Sequence, residues 1–117
     1  MLELLRFDDD VAIAIDSYGA HGTKSVHLGS GNGESHAYAL HLERGGEIGT
    51  HEAGFGQLFV VVSGDAWVDA EGDRTDLIAG QAVFVPRGVL HSKGSFNGAT
   101  VIMIQMYDLE PGSTSIR

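Results

Sequence analysis

At 117 residues, with sixteen acidic against seven basic side chains, the chain carries a formal net charge of -9. No Lys/Arg cluster offers a patch for phosphates, which argues against nucleic acid and anionic membrane as partners. With no cysteine, a disulfide framework, a thiolate metal site and a thiol nucleophile are excluded, and any metal must use nitrogen and oxygen ligands. A chain of this length buries roughly two thirds of its unfolded surface as one core, so one domain over 1–117 is expected. The longest apolar run, Leu58 to Val62, is far short of the roughly 20 residues that span a bilayer, and Met1 to Arg6 lacks the order of a leader. The expectation is a soluble, unprocessed, cytoplasmic protein.

Taken in chain order, Asp8-Asp9-Asp10 lacks the glycine and downstream glutamate of a calcium loop and reads as a solvated turn before a first strand. Short β-rich runs follow over 11–15, 25–28, 36–43, 57–63, 66–70, 74–78, 82–85 and 100–107, and no amphipathic helix of ten or more residues appears. Gly29-Ser30-Gly31-Asn32-Gly33 has neither the Lys-Ser/Thr ending of a phosphate loop nor a helix after it, and reads as a flexible loop. Ser63-Gly64-Asp65 and Ala70-Glu71-Gly72-Asp73 read as hairpin turns, since glycine supplies the positive φ of a tight reversal. Residues 1–35 are assigned to leading strands, 36–107 to the barrel core and 108–117 to a loose tail. Regular short strands between turns predict an all-β sandwich or barrel, and a double-sheet jelly roll satisfies the pattern.

Two histidines lie in glycine-punctuated segments. The first runs Gly45-Gly46-Glu47-Ile48-Gly49-Thr50-His51-Glu52-Ala53 and on through Gln57 to Gly64. The second runs Gly80-Gln81-Ala82-Val83-Phe84-Val85-Pro86-Arg87-Gly88-Val89-Leu90-His91. Alternation along extended chain puts His51 and Ala53 on one face, and Gln57, Phe59 and Val61 on one face of the next strand. Pro86 can end a strand without breaking an interior ladder, and Gly88 permits the bend that delivers His91. Met103, Gln105 and Tyr107 share one face of the last long strand, where a polar pair would orient a ligand.

Both segments resemble the two signature motifs of the cupin superfamily in spacing over residues about 36–107. The resemblance implies a double-stranded β-helix, or jelly-roll barrel, with His51 and His91 as the first and last metal ligands. Ala53 stands where the family places a second histidine, Gln57 where it places a glutamate, and Ser95 where an asparagine often closes the second motif. The implied metal set is thus His51, Gln57 and His91 around a divalent ion (Zn, Ni, Fe, Cu or Mn), with Ala53, Phe59, Gln105 and Tyr107 lining the substrate pocket. Either His36 or His41 could replace the ligand missing at Ala53, though only one of the two faces inward.

Two functions stay open on these residues. One is a metal-dependent isomerase or dioxygenase acting on a small polar organic substrate; the other is a metal-free ligand-binding or sensor module. No Gly-x-Ser-x-Gly segment or other nucleophile arrangement is present. Family habit and the open edges of the leading strands imply a homodimer.

Overall fold

The computed structural model describes residues 2–112 and the backbone of 115–116. Its elements in chain order are β1 (Glu3–Arg6), a 3-10 turn (Asp9–Val11), β2 (Ile13–Ala14), β3 (Lys24–Ser25), β4 (Gly29–Leu42), β5 (Glu47–Glu52), β6 (Gly56–Ala70), β7 (Asp73–Ile78), β8 (Gln81–Val85), β9 (Leu90–Gly94), β10 (Ala99–Pro111) and β11 (Ser115–Ile116). All the pairings are antiparallel.

The long strand β6 organises the barrel. Its first half, Gly56 to Val61, pairs with β8 on one side and β10 on the other, within a first sheet ordered β11-β1-β8-β6-β10-β4. Its second half, Asp65 to Ala70, pairs with β7 and β9, and β9 pairs with β5 to complete a second sheet. Side chains alternate within each half of β6, and the register shift at Val62 changes the parity between the halves, so Phe59 and Val61 from the first and Ala66 and Val68 from the second enter one core with Leu77, Val83, Val85 and Val101. Leu58 and Val60 point the other way, into a smaller cluster with Leu5, Ala82 and Leu109 on the outer face of the first sheet.

Gly64 makes that passage possible. The sequence reads as a hairpin at Ser63-Gly64-Asp65, but the chain continues through it as one strand from sheet to sheet. Gly64 adopts φ 83°, and a Cβ there would overlap the Gly98 carbonyl oxygen, so the residue solves a bend and a close approach together. The turn at 70–73 is a hairpin as expected, with Glu71 at φ 55° and Gly72 at φ 85° linking β6 to β7, the two positive φ angles that suit the twist of antiparallel strands.

Several local expectations change. Gly29–Gly33 is no flexible loop: it is the start of β4, and residues 29–32 pair with Asp108–Pro111, whose backbone approaches Gly31 too closely for a side chain. The loose tail expected from residue 108 is strand where it is described, because β10 runs to Pro111 and Ser115–Ile116 pairs with β1; Ser113, Thr114 and Arg117 lie outside the described residues. A strand, β1, precedes the Asp8–Asp10 turn, where Asp8 caps the 3-10 turn and accepts two hydrogen bonds from the Arg6 guanidinium at 2.8 and 2.6 Å. The β2–β3 hairpin stands apart from both sheets, with Ile13 and Tyr18 exposed.

The role of Gly64 predicts unequal costs for two glycines of similar φ. Gly64→Ala should lose about 3 kcal/mol, because left-handed strain adds to a backbone overlap. Gly72→Ala, whose Cβ would meet nothing within 4 Å, should lose only about 1 kcal/mol. Urea denaturation of both variants measures the difference, and equal losses would show that the bend is not held by this contact.

Candidate functional site

The interior face of the first sheet carries a polar row at one end of the barrel. Gln57 on β6 lies opposite Gln105 on β10, and Gln105 lies opposite His36 on β4. The next row inward is Phe59, Met103 and Tyr38, and the one after it Val61, Val101 and Leu40, so the interior changes from polar to aromatic to aliphatic with depth. The facing sheet contributes His51 from β5 and His91 and Lys93 from β9. His51 and His91 are direct cross-strand partners, and His91 and Lys93 lie opposite Ala70 and Val68 of β6.

The two expected histidines do come together, with ring centroids 4.7 Å apart at an interplanar angle of 50°. His51 sits at the surface, and its Nδ1–H donates to the Gly49 carbonyl at 2.8 Å. His91 is only 1% exposed, and its Nδ1–H donates to the Val89 carbonyl at 3.1 Å. The His91 bond fixes the tautomer of that ring and leaves its Nε2 with a lone pair. The Nε2 of His91 is buried and meets no partner among the described residues. Burial, reinforced by the positive charges of Lys93 and His51 and opposed by the Val89 carbonyl, pushes the His91 imidazolium down to about 4, so the ring is neutral near pH 7.

Lys93, which the sequence reading passed over, holds the centre of the site. It is 1% exposed, and its side chain crosses from the second sheet to the first. There Nζ donates to Gln57 Oε1 at 2.6 Å and to Met103 Sδ at 3.5 Å, and lies 5.4 Å from the centre of the Phe59 ring. Among the described residues no carboxylate pairs with it, since every ion pair lies elsewhere. Burial alone lowers the Lys93 ammonium to about 8, a value at which it is still mostly charged near neutrality. The signal for Lys93 was its parity: two residues after His91 on a strand, it must share that histidine's face.

These contacts decide how the residues meet a metal. Gln57, 2% exposed, faces the interior as its parity requires, yet its amide oxygen is engaged by an ammonium. Ala53 is packed in the hydrophobic core and offers only a methyl group. His36 shares the inward face, but its Nε2–H donates to Glu34 at 2.6 Å and its ring packs against Tyr38 and Phe55. His41 lies on the outward face, with Nδ1 3.4 Å from the Thr100 hydroxyl. Among the described residues no cluster of three histidine or acidic side chains could hold a metal. Two imidazoles beside an uncompensated buried ammonium do not fit a divalent ion, which needs three or four converging donors and gains nothing from a neighbouring positive charge.

The remaining expected pocket residues divide. Phe59 is a buried wall beneath the Lys93 ammonium. Gln105 is half-buried in the polar row. Tyr107 sits at a register shift in the β10–β4 pairing, half exposed, with the Arg87 guanidinium 3.7 Å above its ring. It lines a shallow recess with Gly56, Phe84, Pro86 and Arg87 rather than the row of Gln57 and Gln105. Ser95, at the end of the second motif, is buried and accepts from the Gly98 amide at 2.7 Å, closing the β9–β10 turn.

The fold is that of the cupin superfamily. The chain is similar to a cupin superfamily protein from Desulfitobacterium hafniense, with a TM-score of 0.60 and 15% identity over 69% of this chain and 77% of that one. It is similar to an RmlC-like cupin from Shewanella frigidimarina, with a TM-score of 0.59 and 29% identity over 65% and 68%. A conserved protein of unknown function from Streptococcus pyogenes matches with a TM-score of 0.61 and 19% identity over 64% of this chain, which spans just under two thirds, 66%, of that protein's length. No family model matches the sequence, and no curated protein does. Among the described residues no helix is long and apolar enough to cross a membrane.

The buried imidazole has a pH signature. His91 titrates near 6.5 when unfolded and near 4 when folded, so the unfolded chain takes up the proton first as pH falls. Stability is therefore lost progressively from about pH 6.5 down to about pH 4. His91→Leu should remove that part of the loss, while at pH 7 it should be neutral or stabilising, because it removes an unpartnered buried nitrogen. Urea denaturation at pH 7 and pH 4.5 measures both; an unchanged acid slope in the variant would count against this account of His91.

Proposed function

We propose that this barrel binds a small hydroxy-carboxylate without a divalent metal, with Lys93 as the internal cation. The observation that carries the reading is the Lys93 Nζ to Gln57 Oε1 hydrogen bond of 2.6 Å: the residue standing at the family's carboxylate position already serves a positive charge, and among the described residues that charge has only neutral partners. Burying an ammonium without an anion costs several kcal/mol, and a ligand carboxylate entering beside Gln57 offsets that cost. Repulsion from the chain's net charge of -9 is screened beyond roughly 8 Å at physiological salt, so the ammonium dominates at contact range.

The neutral His91 supplies the second point of recognition. Its Nδ1–H is committed to Val89 and its Nε2 is an acceptor without a donor, which a ligand hydroxyl satisfies. An acid carrying a hydroxyl next to its carboxylate presents the donor and the anion together.

Lactate is the simplest probe of this reading. Wild-type protein purified without a metal-affinity tag should hold less than stoichiometric divalent metal and should bind lactate in calorimetry. Lys93→Met should weaken that binding at least about tenfold, as expected for loss of a charge-assisted bond, and should fold normally because it removes an unpaired buried charge. The ammonium is the binding form, and the bound anion raises its pKa above the free value of about 8, so affinity should persist below pH 8 and fall as pH rises beyond it. A stoichiometric tightly bound metal, or a Lys93→Met protein that binds lactate like wild type, would overturn the reading.

A further inference from the structure

The polar row that begins at Lys93 ends on aromatic rings, and the geometry points to a specificity subsite for a flat aromatic group on the same ligand, formed by Tyr38, His36 and Phe55. This inference rests on the carboxylate reading above and names the rest of the molecule. Gln57, Gln105 and His36 are successive cross-strand partners on the interior face, two inter-strand spacings or roughly 10 Å from end to end. At the far end the His36 and Tyr38 rings stack, with centroids 6.2 Å apart and planes 21° from parallel. Phe55 reaches in from the β5–β6 connection and meets His36 edge-on, with centroids 5.5 Å apart and planes at 76°.

Two features mark this group as a ligand surface rather than core. Tyr38 is 47% exposed although it stands on the inward face, in the row of Phe59 and Met103, which are buried. The Glu34 carboxylate accepts the His36 Nε2–H, so the imidazole is held in one orientation beside Tyr38. Phe55, half-buried in the β5–β6 connection, adds the third ring. An aromatic group entering there gains offset and edge contacts from three rings, while its carboxylate reaches inward along Gln105 to Lys93. The ligand class is an aryl hydroxy-acid.

The matched probes are lactate and 3-phenyllactate, which share the hydroxy-carboxylate and differ by a phenyl group. Wild-type protein should bind 3-phenyllactate at least about tenfold tighter than lactate. In Tyr38→Ala and Phe55→Ala that ratio should fall toward one, and circular dichroism of the two variants should match wild type because Tyr38 is half exposed and Phe55 lies in a connection. A wild-type ratio near one, or a ratio kept in both variants while Lys93→Met loses both acids, would overturn the aromatic subsite and leave the carboxylate reading standing. If Lys93→Met binds 3-phenyllactate as wild type does while Tyr38→Ala does not, the carboxylate reading falls and the aromatic surface stands. Failure of wild type to bind either acid at millimolar concentration overturns both.

Discussion

The barrel depends on one strand serving two sheets. β6 donates its first half to the sheet of β8 and β10 and its second half to the sheet of β7 and β9, so any change in its bend moves the two faces of the core against each other. The bend needs a backbone that accepts positive φ and a neighbour at contact distance, and Gly64 against Gly98 meets both needs. Everything in the site inherits this constraint. Gln57 lies on the first half of β6, while His91 and Lys93 are registered on its second half. The crossing lysine can reach the glutamine only because the two halves face one interior.

Within that interior the electrostatics are inverted relative to what a metal centre requires. A cation is already present, covalently tied to β9, and it is served by an amide oxygen, a thioether and an aromatic face. Each is a weak partner for an ammonium compared with a carboxylate. The neighbouring histidine responds by staying neutral. Among the described residues this interior carries a positive charge with no carboxylate partner, beside an acceptor with no donor, and that pairing supports the proposed oxyanion and hydroxyl ligand.

Much of this architecture was legible in the chain. The glycine spacing around His51 and His91, the alternation of Gln57, Phe59 and Val61, and the turn at Glu71-Gly72 are all local features, and each appears where its residues placed it. The strands β1, β5 and β9 lie outside the short β-rich runs that composition picks out, and so does the start of β4. They are short or rich in Gly, Ser, Thr, His and Lys, which lowers any strand signal that rests on apolar alternation. Leu90-His91-Ser92-Lys93-Gly94 reads as a polar turn by composition, yet three of its five residues are buried, because its polar groups face the site rather than solvent.

What the sequence alone determined is therefore the set of positions: an all-β chain, the faces on which its polar residues fall, and the two histidines that pair. Periodicity and glycine spacing are properties of neighbouring residues and survive being read in one dimension. What only the tertiary structure decided is which group answers which. That Gln57 serves Lys93 thirty-six residues away, that His36 rather than His41 faces inward yet packs on Tyr38 and Phe55 instead of joining His51 and His91, and that Gly64 is a crossing rather than a turn all follow from the registers of β6, β9 and β10. Register is a property of paired strands, set by how both faces pack at once, and no single strand contains it.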